Sequence, residues 1–189
     1  SLSEFRGLKT TPLNGEFRVY TTARLTHVKG IDRLIETLKE YHQDLKDISY
    51  YIIVEGEQRE KQEKEIKDHN IKNIHLIGEK DYPIKELIKA DLYLSVSRRE
   101  GFPLAVIEAL GLGLPTLLSN VEGHGFFINQ HVSKSFHLKD PKDMKEQLLK
   151  LKNDHKLREL LGQKGKELVK HKLNTQVMAK ETFRLYEKN

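Results

Sequence analysis

A chain of 189 residues with 37% hydrophobic and 32% charged side chains has the length of one domain, apolar enough for a core and too polar to embed in a bilayer. No window reaches the roughly 20 apolar residues of a spanning helix, and the absence of cysteine excludes disulfide staples, a thiolate nucleophile and Cys-ligated zinc or iron–sulfur centres. The net charge of +5 is unevenly placed: residues 141–189 carry 13 Lys and Arg against 7 Asp and Glu, residues 1–140 carry 20 against 21. The surplus belongs to the C-terminal helices, where a solvated face accounts for it better than nucleic-acid binding does. With neither an apolar run nor a small-residue cleavage pattern at the start, the expected location is cytoplasmic.

Residues 1–16 lack periodicity, carry Pro12, Asn14 and Gly15, and read as a lead-in. Residues 17–22 are β-branched and aromatic, and after a loop through Gly30 the spacing of Ile31, Leu34, Ile35 and Leu38 marks one face of a helix. Residues 50–54 form an apolar run of buried-strand type, and the charged residues 58–69 an exposed helix. The alternation continues: strand 73–77, helix 84–90, strand 92–96, helix 103–112, strand 114–118 and a sixth strand at 135–138. Such alternation predicts an α/β fold, a doubly wound parallel sheet with helices on both faces and right-handed crossovers, over residues 17–172. Beyond Pro141 the chain is helical, with stripes at Met144, Leu148, Leu149 and Leu151, then Leu157, Leu160, Leu161 and Leu168. A last helix, within 173–189, opens at Asn174 with Val177, Met178, Phe183, Leu185 and Tyr186 on its apolar side.

In an open parallel sheet ligands bind outside the carboxyl ends of the strands, which directs attention to three loops. ARLTHVKG places Arg24 and Lys29 between the first strand and the helix that Gly30 opens. A guanidinium fork and an ammonium there can clamp a diphosphate, or they are solvated loop charges. The loop SRREGFP puts Glu100, Gly101, Phe102, Pro103 and Leu104 at the start of a helix; Pro103 suits its first turn, whose early N–H groups are unpaired. Glu108 interrupts an otherwise apolar helix, where an ionised carboxylate either wants the hydroxyls of a ligand or faces water at the edge. In the third loop Gly123 and Gly125 flank His124, and a simple turn is the expected account. None of the nine histidines shows paired metal-ligand spacing.

Glu100 and Glu108, set in EGFPLAVIEALGLGLPTLLSN, resemble the Glu-x7-Glu signature of retaining glycosyltransferases of the GT-B fold, specifically glycosyltransferase family four (group 1). ARLTHVKG is similar to the Arg-x4-Lys-Gly donor-phosphate motif of that family. The resemblance covers residues 17–189 and implies the donor-binding C-terminal half of such an enzyme, with no resident cofactor and no metal. Its partners would be a nucleotide-diphosphate sugar and a glycan, lipid or protein acceptor held by an N-terminal domain outside this chain, and it would sit in the cytoplasm with peripheral membrane contact. By the same resemblance Arg24 and Lys29 hold the pyrophosphate. Glu100, with the backbone of Gly101, Phe102, Pro103 and Leu104, addresses the sugar and distal phosphate, and Glu108 accepts from the ribose hydroxyls. The fragment alone is then expected to be inactive.

Three places depart from the family pattern: Val54-Glu55-Gly56-Glu57 where Val-Gly-x-Gly is usual, Val96-Ser97 where Pro-Ser is usual, and EGHGFFI in place of a Gly-Gly-x-x-Glu-like loop. The first supports an alternative, a non-catalytic nucleotide- or sugar-binding module. A nucleotide-sugar 2-epimerase-like half domain is the other, which the Glu-x7-Glu context disfavours.

Overall fold

The computed structural model describes residues 15–23, 26–53, 56–78, 80 and 83–173. Six strands, β1 (Phe17–Thr22), β2 (Ile48–Ile53), β3 (Ile74–Leu76), β4 (Leu92–Ser95), β5 (Thr116–Ser119) and β6 (Lys134–Phe136), form one sheet in the order β3-β2-β1-β4-β5-β6. Every pairing is parallel, with Phe17 opposite Ile48, Val19 opposite Leu92, and Tyr93 opposite Thr116. This is the dinucleotide-binding strand order, in which the direction of winding reverses between β1 and β4. The expected α/β class therefore holds.

Burial explains the strand composition. All four residues of β4 and all four of β5 are buried, as central strands covered on both faces require. One face packs Val19, Tyr50, Ile52, Leu94 and Leu117 against helices α1 (Ile31–Glu40) and α7 (Pro141–Asn153), through Ile31, Leu34, Ile35, Leu38, Met144, Leu148 and Leu151. The other packs Tyr20, Ile53, Tyr93 and Leu118 against α4 (Pro83–Leu87), α5 (Leu104–Gly111), α6 (Gly125–Asn129) and the end of α8 (His155–Lys172). Each fully buried aliphatic or aromatic side chain contributes about 1.5 to 3 kcal/mol, so the two half-cores together fix the sheet between its helices.

Two further helices lie among the described residues, the short α2 (His42–Leu45) and the charged α3 (Arg59–Asp68). Several boundaries shift from the sequence expectation for local reasons. The fifth strand begins at Thr116 rather than Leu114: Pro115, with no N–H to give a ladder, contributes only its carbonyl, which accepts from Tyr93 at 3.0 Å. The helical tail divides at Asp154, whose carboxylate caps α8 by accepting from the Leu157 N–H at 2.8 Å. Asp140 caps α7 in the same way, ahead of Pro141. Leu160, expected on the apolar stripe of α8, is exposed instead. The closing helix expected from Asn174 and the Val54 to Glu55 departure lie outside the described residues.

Candidate functional site

The carboxyl ends of β1 and β4 lie side by side at the reversal point, and the chain leaves them in opposite directions, which opens a crevice. A cavity of about 180 Å³ sits there, lined among others by Thr21, Lys29, Ser97, Glu100, Pro103 and Ala105. Lys29 comes from a 3-10 turn, His27–Lys29, after β1; Glu100 comes from the loop between β4 and α5. The Lys29 ammonium contacts Glu100 Oε1 at 2.6 Å, and the same oxygen accepts from the Ser97 hydroxyl at 2.6 Å. Glu100 is the more buried partner, its side chain 10% exposed against 29% for Lys29. The cation and carboxylate that the sequence places on separate loops are thus joined in one charge-assisted pair.

Two backbone devices set this distance. Gly30 takes φ 68° between the 3-10 turn and α1, and a Cβ there would run into the Val96 carbonyl. Only glycine meets both demands, a left-handed φ and contact with the backbone that leads into the Glu100 loop. Gly123 approaches from the far side: a Cβ on it would lie 2.6 Å from the Glu100 carbonyl carbon. Arg98 then staples the two loops. Its backbone N–H donates to Val28 O at 2.8 Å, its guanidinium forks onto Asp32 at 2.7 and 2.5 Å, and Nη1 also donates to His27 O at 2.6 Å. Burial disfavours the Asp32 charge, but the Arg98 fork outweighs it and holds the carboxyl below its ordinary pKa.

Of the residues expected at the site, Lys29, Glu100, Phe102, Pro103 and Leu104 line the cavity. Phe102 and Leu104 are 54% and 64% exposed and form an apolar lip, where sequence reading assigned them only backbone contacts. Pro103 is the cap residue of α5 and not part of its first turn. The Leu104 N–H, expected to be free, donates to Phe102 O at 3.0 Å. Gly101 is exposed with open space beside it. Arg24 lies outside the described residues. Glu108 stands on α5 beyond the cavity lining, half-buried, and burial raises its carboxyl pKa above the ordinary value. Among the described residues no hydrogen bond or ion pair engages its carboxylate, an arrangement that suits a partly desolvated edge open to water as well as a group kept for ligand hydroxyls.

Sequence reasoning gave no role to Thr22, Ser95, Ser97, Arg98 or His124. The Thr22 hydroxyl, on a residue of the cavity wall, is buried and has no hydrogen-bond partner among the described residues, a polar atom that a ligand can satisfy. His124 ends a second 3-10 turn, Glu122–His124, and is fully buried behind Glu100 rather than set in an open turn. A small polar residue at the end of a strand is the one signal that marks Ser95 and Ser97 in the sequence.

A twofold-wound parallel sheet with paired charges at its reversal point defines the class: a Rossmann-like half of a GT-B glycosyltransferase. The family model for glycosyl transferases group 1 matches residues 9–168, and the chain belongs to that family. An uncharacterized glycosyltransferase of Methanocaldococcus jannaschii is 30% identical over 145 residues, 75% of this chain and 40% of the relative. The capsular polysaccharide biosynthesis glycosyltransferase CapM of Staphylococcus aureus is 27% identical over 92% of this chain and 47% of its own length. The structure of an S. aureus TarM mutant, crystallised with fondaparinux, alpha-GlcNAc-glycerol and UDP, superposes with a TM-score of 0.84 at 27% identity, covering 95% of this chain and 37% of TarM. The chain spans less than half the length of each of these proteins.

Proposed function

We propose that this chain is the donor-binding half of an enzyme that transfers a glycosyl group from a nucleoside-diphosphate sugar to an acceptor, with retention at the anomeric carbon. The observation that carries the reading is the Lys29–Glu100 pair at the mouth of the switch-point cavity. When the bond from the anomeric carbon to the diphosphate breaks, negative charge grows on the leaving oxygen, and Lys29 with Arg24 stabilises it in place of a metal. Glu100 and the cavity wall from Phe102 to Leu104 orient the sugar; Glu108, unpaired and partly desolvated, accepts from the ribose hydroxyls.

The cavity, about 180 Å³, is smaller than the roughly 300 to 1,000 Å³ that small-molecule sites occupy, so a second wall is needed. A separate acceptor-binding domain supplies it in this reading, and the chain alone does not transfer sugar. The names of the relatives, capsular polysaccharide biosynthesis among them, favour a glycan product over epimerase chemistry.

Calorimetry with UDP, GDP, ADP and TDP tests the phosphate assignment. The best-bound nucleotide should lose roughly ten- to hundredfold in affinity in Lys29→Ala and in Arg24→Ala, the scale of one hydrogen bond to a charged group, and should bind equally well with and without EDTA. Unchanged affinity in both variants overturns the assignment.

A further inference from the structure

Behind Glu100 runs a chain of polar groups that the donor reading does not use. His124 is 0% exposed, Ser97 2% and Ser95 6%, so the ring is shut off from bulk water and the two hydroxyls meet only the adjoining cavity. The Ser97 hydroxyl donates to Glu100 Oε1 at 2.6 Å, the Ser95 oxygen lies 3.4 Å from Ser97 Oγ, and His124 Nε2 lies 3.3 Å from Ser95 Oγ. At the other side of the ring, Nδ1 is 2.8 Å from the Ser119 carbonyl.

Counting hydrogens along this line gives a directional result. A carbonyl oxygen only accepts, so Nδ1 carries its hydrogen and the neutral ring presents a bare Nε2 toward Ser95. Ser119 cannot alter this, because its hydroxyl donates to Ser97 O at 2.6 Å. The single hydrogen of Ser97 is committed to Glu100. Ser95 therefore has one hydrogen for two acceptors, Nε2 and Ser97 Oγ, and with a neutral ring one of the two links goes unmade. With an imidazolium both are made: Nε2–H donates to Ser95, Ser95 to Ser97, and Ser97 to the carboxylate, all aligned toward Glu100. Aligned donors reinforce one another.

We propose that His124 is a positioning residue for Glu100, acting through the Ser95 and Ser97 hydroxyls and set by the proton count on its ring. The functional weight of this rests on the reading of Glu100 as the group that orients the donor. Among the described residues the charged groups that act on the ring are Glu100, from the loop after β4, which favours the imidazolium, and Lys29, from the turn after β1, which opposes it. Burial, the largest influence, holds the imidazole below its ordinary pKa. The neutral ring with its divided hydrogen is the resting form near pH 7, and the aligned chain forms on the acid side.

The test is carbon and nitrogen NMR of the labelled chain without nucleotide, from about pH 4 to about pH 8, which spans the carboxyl and imidazole ranges. At the upper end Nδ1 should be protonated and Nε2 bare. As the ring titrates, the Glu100 carboxyl resonance should show an inflection at the His124 midpoint. Ser97→Ala, which removes one oxygen and leaves the Lys29 contact in place, should shrink that inflection to what direct charge–charge coupling leaves, while the ring still titrates; His124→Asn, which cannot take up a proton, should abolish it. The opposite tautomer, a ring that stays neutral throughout, a Glu100 blind to His124, or an inflection undiminished in Ser97→Ala each overturn the proposal. No nucleotide is present, so the relay can fail while the donor reading stands, and the reverse.

Discussion

Gly30→Ala is the sharpest perturbation of the loop architecture, because two independent costs meet at one atom. At φ 68° an L-residue is disfavoured by about 1 to 2 kcal/mol relative to its ordinary conformations. The added Cβ would also strike the Val96 carbonyl and lie 3.1 Å from the Val96 carbonyl carbon. That neighbour is backbone at the end of β4 and cannot rotate away, so the loop must move, at about 1 to 3 kcal/mol for forced overpacking. The reduced freedom of alanine in the unfolded chain offsets about 0.4 to 1 kcal/mol. The net loss is about 1 to 5 kcal/mol with a midpoint near 3, which for a domain of this size lowers Tm on the order of 10 °C. Urea and thermal unfolding measure it. Amide exchange adds a local check, since the Arg98 N–H bond to Val28 O should open more readily once Gly30 and Val96 are forced apart. A Tm within about 2 °C of wild type, or faster exchange everywhere except at Arg98, would refute the reasoning.

Two further outcomes follow from the charged groups. Because the Asp32 carboxyl is held below its ordinary pKa by Arg98, its contribution is present above the unfolded value and is lost as pH falls through the folded one. Asp32→Asn should therefore lower the urea midpoint at pH about 7 and lower it less near pH 3, below the unfolded value; equal losses at both would sink the argument. Glu108 has the opposite sign: burial raises its pKa, so the fold is favoured below the unfolded value and penalised as pH rises through the folded one. Glu108→Gln should raise the urea midpoint at neutral pH, not at pH about 4, and weaken binding of the nucleotide that binds best. A variant that gains stability with unchanged affinity would remove Glu108 from the ribose contact while leaving its desolvation intact.

The winding of the sheet was legible because helix and strand periods alternate without interruption, and two of the three chosen loops converge on the crevice for the same reason. Strand order was not legible: nothing in residues 17–22 and 92–95 states that they are neighbours, and the pairing of Val19 with Leu92 depends on which face each crossover takes. Lys29 and Glu100 were each marked by type and position, but their contact across 71 residues of chain is a product of that order. Arg98 carried no mark at all, since an arginine beside an arginine on a loop reads as solvated until Asp32 is brought beneath it. His124 misled in another way: two flanking glycines signal a turn, whereas Gly123 is small to press against Glu100 and the histidine turns inward.

In the proposed donor-binding reading, the 2.6 Å contact between Lys29 and Glu100 makes binding an exchange reaction. A Lys29 already matched by a carboxylate adds little net attraction for a passing anion. A lone phosphate gains the ammonium only by leaving the carboxylate without its countercharge. A molecule that brings phosphate oxygens to Lys29 and hydroxyl donors to Glu100 together replaces both halves of the pair in one step. Discrimination between a nucleotide sugar and its nucleotide product is then a property of what each offers to Glu100, and the loss of the sugar restores the original pair as the product departs.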